Sequence, residues 1–147
     1  AEGQHGGSVH VVRAPDLPAA EWFAVNEPYN LAGLFDRLEV SPFVSWLTES
    51  MWERPGQDHE HSWLVLVHVD AEQGVPVPAS IGPVTDRVLC GGWMVAADGS
   101  VLAGAAVFLD GTAADADGVA AELADRIAAE STISVCAWRR GGRPDPQ

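Results

Sequence analysis

The chain contains no lysine: all eight of its basic residues are arginine, set against 21 acidic ones, for a net charge of −13 over 147 residues. A surface this acidic repels phosphate backbones and anionic lipid heads, which argues against nucleic-acid and membrane partners and favours a basic protein, a cation or a cationic ligand. Long apolar runs are also missing, and none approaches the length of a membrane-spanning helix. Cysteine is scarce. Cys90 and Cys136 match no zinc or redox spacing, and each sits in an apolar run, "RVLCGGWMV" and "ISVCAW". Both read as small buried hydrophobes, with a disulfide as the alternative. The chain opens on Ala1, which leaves the compartment open, with the cytoplasm favoured over secretion.

The catalytic motifs are absent as well. There is no nucleophile elbow around Ser80, no phosphate loop in "CGGW", no H-E-x-x-H, no dinucleotide fingerprint and no calcium loop. This tilts the reading away from an enzyme without excluding one, because sites assemble from residues distant in sequence.

What is present is a globular composition, 47% apolar, in a length that suits one domain over 1–147 with loose termini at 1–7 and 139–147. Residues 8–14 read as a short strand. Asp16 and Pro18 open a helix over 17–25, with Pro28 as its stop. Leu31, Leu34, Phe35 and Leu38 have the i, i+3, i+4, i+7 spacing of an amphipathic helix, with Asn30 as its cap. Ser41-Pro42 opens a third helix with an inward stripe of Phe43, Trp46, Leu47 and Met51. "SWLVLVHV" is too short and too β-branched for a buried helix and reads as a central strand.

Residues 71–85, with three prolines and two glycines, form a long loop that covers a core edge or meets a partner. Asp98-Gly99 between two β-patterned runs predicts a two-residue type I′ hairpin. That register sets Trp93 against Gly104, Gly92 against Ala105 and Gly91 against Ala106, leaving a patch bare of side chains for a packed helix or, alternatively, a flat ligand with the 71–85 loop as its lid. Thr112 to Asp115 is a capping box for a helix carrying Val119, Leu123 and Ile127 inward, and Asp117, Glu122, Asp125 and Glu130 outward. Residues 132–138 read as a last, internal strand. The expected architecture is α+β: a mixed or mainly antiparallel sheet of about five strands, in the order β-ααα-β-β-β-α-β, covered by helices.

Three groups of residues are candidates for function. His59 and His61, two apart before a strand, share a face if strand geometry holds there, and imidazole pairs suit divalent transition metals. A site needs a third ligand, from Glu53, His10 or the 71–85 loop, and a solvated polar turn is the simpler reading. His68 interrupts an apolar strand, with Asp70 two residues on; the two fit a base and its orienting carboxylate, or a satisfied polar pair at a sheet end. Trp22 and Trp52, beside Glu21, Glu49 and Glu53, have the character of an interface, as does the acidic face bearing Asp117, Glu122 and Asp125. These lead to a non-catalytic binding protein without a cofactor, of inhibitor, immunity or accessory type, that engages a basic protein. The alternative is a small enzyme or sensor holding one divalent transition metal at His59 and His61.

Overall fold

The computed structural model describes residues 7–51, 53 and 61–139. By its internal contacts the chain divides at the Pro42–Phe43 boundary into two compact units. The first holds two helices, α1 (Leu17–Val25) and α2 (Pro28–Leu31). The second holds a five-stranded sheet of β1 (Phe43–Ser45), β2 (Ser62–His68), β3 (Val88–Val95), β4 (Leu102–Asp110) and β5 (Thr132–Trp138), with one helix, α3 (Ala113–Ile127). The fold is α+β, and every strand pairing is antiparallel, in the spatial order β1-β3-β4-β2-β5.

In the first unit, α1 forms where proline and cap predict it. The Asp16 carboxylate accepts from the Ala19 N–H at 2.9 Å, and proline stands in the first turn. Pro28 does not end α1, which closes on Asn26; it opens α2, capped by Glu27 instead of Asn30. The helix expected through Leu38 stops after one turn at Leu31. Gly33, at φ 74°, donates its N–H to Asn30 O while Leu34 N–H reaches Tyr29 O, a Schellman stop that the apolar spacing concealed. Residues 8–14 form no strand; β-propensity expresses fit to a pleated, half-buried surface and makes no strand without one.

In the second unit, the segment after Ser41-Pro42 is a strand and not the third helix. Phe43, Val44 and Ser45 pair with Met94, Trp93 and Gly92 of β3. The reason lies in the glycines of β3. A Cβ on Gly91 would fall 2.7 Å from the Trp46 ring, and one on Gly92 would fall 2.5 Å from the Phe43 ring. The bare patch of the hairpin is thus filled on one face by Trp46 and on the other by Phe43, rather than by α3. The 71–85 loop also closes on Trp46, since a Cβ on its Gly82 would meet the ring at 2.3 Å. It packs edge-on against Trp93, ring centroids 4.8 Å apart.

The β3–β4 hairpin is real, but its turn is wider than two residues. Ala96 N–H reaches Val101 O and Gly99 N–H reaches Ala96 O, giving a four-residue loop with Gly99 at φ 75°. The register then slips between Met94 and Val95. Trp93 faces Ala105, Gly92 faces Ala106 and Met94 faces Gly104, one residue away from the simple hairpin. The slip rests on Gly104, at φ 153°, where a Cβ would lie 1.9 Å from Val67 O.

The main core lies between the sheet and α3. It joins Trp46, Val65, Val67, Trp93, Val107 and Leu109 to Ala116, Val119, Leu123 and Ile127. α3 packs on β2 and β5, held at its start by the reciprocal Thr112–Asp115 capping box. The 71–85 loop closes the same core edge: Leu102 N–H donates to Val75 O, and Trp93 Nε1–H to Ser80 O at 3.1 Å. A smaller cluster of Leu64, Leu89, Ala106 and Phe108 occupies the opposite sheet face. β2 is an interior strand, as its apolar run requires, but among the described residues β5 is an edge strand and not an internal one.

Two glycines separate steric need from mere tolerance. Gly104→Ala should destabilise the protein by about 2–4 kcal/mol, because backbone and not a flexible side chain would have to move. Gly118→Ala, in mid-helix with nothing within 4 Å of the added carbon, should stabilise it by about 0.5–1 kcal/mol. Urea unfolding of the two variants reads both.

Candidate functional site

No described residue before Phe43 is buried. The first unit therefore presents large apolar side chains to solvent: Trp22 is 69% exposed, Leu31 68% and Leu34 65%. Trp22 projects from α1 next to exposed Glu21 and lines an apolar hollow of about 380 Å³ with Val12, Arg13, Pro15, Ala19 and Phe23. Trp52 lies outside the described residues.

In the second unit, Asp117, Glu122 and Asp125 all stand on the exposed side of α3. They are not equivalent. Arg126 Nη2 donates to Glu122 Oε1 at 2.9 Å, one turn along the helix, and Arg126 also reaches the Ile81 carbonyl. Arg126 thus offsets the Glu122 charge and ties α3 to the 71–85 loop, a role no periodicity announces. Among the described residues Asp117 and Asp125 have no such pair and carry the remaining charge of this face.

The histidine candidates are only partly placed. His61 is exposed and precedes β2, and its carbonyl accepts from Gly111 N–H. His59 lies outside the described residues. Among the described residues no group of three histidine, cysteine or acidic side chains is set to hold a metal ion. His68, half-buried, sits on the sheet face away from α3, level with Gly104 and Thr132. Asp70 lies past the end of β2, so strand alternation does not relate it to His68. Its carboxylate accepts from Glu72 N–H at 2.9 Å and caps a 3₁₀ turn over Ala71–Gln73.

The cysteines correct two expectations. The register sets Cys90, Phe108, Leu64 and Cys136 in one row across four adjacent strands. Three strand spacings of about 4.8 Å separate the thiols by far more than the roughly 7 Å a disulfide tolerates between Cα atoms. Both are free, and Cys136 is exposed rather than buried. Cys90 is half-buried, and desolvation raises its thiol above the ordinary pKa, which favours the protonated form.

Sequence reasoning missed one polar pair altogether. Ser62 Oγ donates to Asp110 Oδ1 at 2.6 Å where β2 and β4 lie side by side, and both residues are buried. The two are 48 positions apart, so only the sheet register brings them together. Burial withholds the hydroxyl from solvent, and the pair acts as a polar tie at one end of the sheet. A second hollow of about 250 Å³ lies beside Arg87, Asp86, Thr85 and Asp115 at the start of α3. It sets one guanidinium against two carboxylates, one of which is already engaged in the helix cap.

The fold and these surfaces define a small α+β protein whose described surface is apolar on its N-terminal helices and acidic along α3. The chain matches no protein-family model, no curated protein and no solved structure.

The helix cap carries a pH dependence. Thr112 N–H at 2.8 Å, and then its hydroxyl at 3.0 Å, donate to Asp115 Oδ2 and hold this carboxyl below its ordinary value of 3.8. A depressed folded pKa contributes stability that is fully present above 3.8 and is lost as pH falls through the lower folded value. Titration of the Asp115 side chain by NMR should show a midpoint below 3.8, and Thr112→Ala should move it back up towards that value.

Proposed function

We propose that this is a non-catalytic binding protein of inhibitor, immunity or accessory type that engages a basic protein partner. The observation that carries the reading is the exposure of Trp22 on a helix with no buried residue, within a chain of net charge −13. A large aromatic ring left in water costs hydrophobic stabilisation that a partner's pocket recovers, and tryptophan is among the residues that most often dominate binding energy. The acidic face of α3 supplies the second element. Asp117 and Asp125, with Glu122 partly offset by Arg126, set up a field that draws in a positively charged surface and speeds encounter.

The two elements predict separable kinetic effects. Capture from the native host on the immobilised chain should recover a basic protein at low salt and less of it at high salt. Asp117→Asn combined with Asp125→Asn should lower the association rate several-fold, by up to roughly tenfold, and leave dissociation nearly unchanged. Trp22→Ala should instead speed dissociation, with a loss of about 2 kcal/mol or more in affinity. Recovery of no basic protein at either salt concentration would overturn the reading.

A further inference from the structure

β5 has the composition of an interior strand and the position of an edge strand. Its seven residues, "TISVCAW", contain no charge, no proline and no glycine. Its pairing with β2 runs without a shift from Thr132 to Trp138, so no bulge turns the edge away. Natural sheets guard an open edge with lysine, proline, bulges or very short strands, because unpaired N–H and C=O groups recruit another strand. The opposite edge, β1, follows that rule with only three residues. β5 follows none of it: among the described residues no strand pairs with its outer side, and Thr132, Ser134, Cys136 and Ala137 are exposed along its length.

We propose that β5 is a pairing surface for a second copy of this chain, whose own β5 adds antiparallel across the edge and continues two five-stranded sheets into one. Charge selects this occupant. In a chain of net charge −13, β5 is a neutral seam, so it offers a basic partner's strand nothing to steer towards. Its flanks, however, carry opposite charges, with exposed Glu130 before the strand and exposed Arg139 after it. An antiparallel copy of the same sequence brings each Arg139 to the end of the seam where the other copy's Glu130 lies, at both ends at once, and both residues stand outside the paired span Thr132–Trp138, where strand alternation does not separate them. Directly opposed residues in a sheet share a face, so the two-fold axis passes through a residue. Placing Val135 on that axis sets Arg139 opposite Ser131 and next to Glu130 of the second copy. Ile133 then faces Ala137 of the second copy, and Cys136 faces its Ser134. The interface is self-complementary, as a two-fold dimer requires.

This inference is independent of the basic partner, and salt separates the two. The two flanking Arg139–Glu130 pairs are exposed and contribute little, whereas each copy carries a net charge of −13, so net repulsion dominates and added salt strengthens self-association while weakening capture of a basic protein. Sedimentation equilibrium of the whole chain should show the mass rising with concentration from 15.5 kDa towards twice that value, and more readily at high salt. The two Cys136 residues are diagonal neighbours about 7–8 Å apart, so a short bis-maleimide should link them, and Cys136→Ser should abolish the linked species. Ser134→Lys, at an exposed position, should leave a monomer with unchanged circular dichroism and melting temperature. A mass of 15.5 kDa at every concentration and salt would overturn the proposal. So would a dimer that persists in Ser134→Lys without linking through Cys136. Should Ser134→Lys fail to fold, the cross-link on the unaltered chain decides alone: a Cys136-dependent dimer supports the proposal, and its absence overturns it.

Discussion

The seat of Trp46 is the constraint on which the second unit depends. Its ring fills space that no side chain of β3 or of the 71–85 loop occupies, and it does so only because Gly91 and Gly82 lack a Cβ. Burying an indole removes about 150–250 Å² from water, on the order of 4–6 kcal/mol of transfer free energy. That single insertion joins β1 to the sheet edge, closes the 71–85 loop over the core and sets Trp93 edge-on beneath it. It carries a cost too. The Trp46 Nε1–H is buried and, among the described residues, has no hydrogen-bond partner, a loss of about 1–3 kcal/mol. Shape was satisfied ahead of polarity at this point, because the large apolar ring outweighs one orphan donor.

The two faces of the sheet differ for a related reason. On the face of α3, β2 and β4 present Val65, Val67, Ala105, Val107 and Leu109, and the helix returns Val119, Leu123 and Ile127 to them. On the other face the apolar cluster is smaller and ends in the buried Ser62–Asp110 tie. The chemistry-bearing side chains divide accordingly. His68 and Cys136 share that face with Ser62 and Asp110, whereas Asp117, Glu122 and Asp125 lie on the exposed side of the helix.

Some expectations failed because a local pattern had two solutions. The i, i+3, i+4, i+7 spacing after Asn30 suits a helix, but Gly33 supplies a left-handed stop that ends it after one turn. Ser41-Pro42 suits a helix start, but the segment that follows faces a glycine-bare strand, and pairing there buries Phe43 and Trp46 more completely than an isolated amphipathic turn would. The hairpin turn followed the same logic on a smaller scale. Asp98-Gly99 marks its place, while the clash that a Cβ at Gly104 would meet against Val67 O shows why the register slips there. Of the candidate site residues, Trp22, Asp117, Glu122 and Asp125 are exposed as their patterns implied.

Local chemistry, readable from neighbouring residues, accounts for several of the elements. Asp16 with proline started α1, the Thr112–Asp115 box started α3, the apolar run of β2 demanded an interior position, and the excess of carboxylates made the surface acidic. Each of these rests on residues within one turn or one strand of each other. Which strand lies at the edge, what fills the glycine patch, how far the cysteines stand apart and which serine meets which aspartate were settled by long-range packing. Those outcomes depend on pairs tens of residues apart, whose meeting is set by sheet order and register, and no local pattern carries that information.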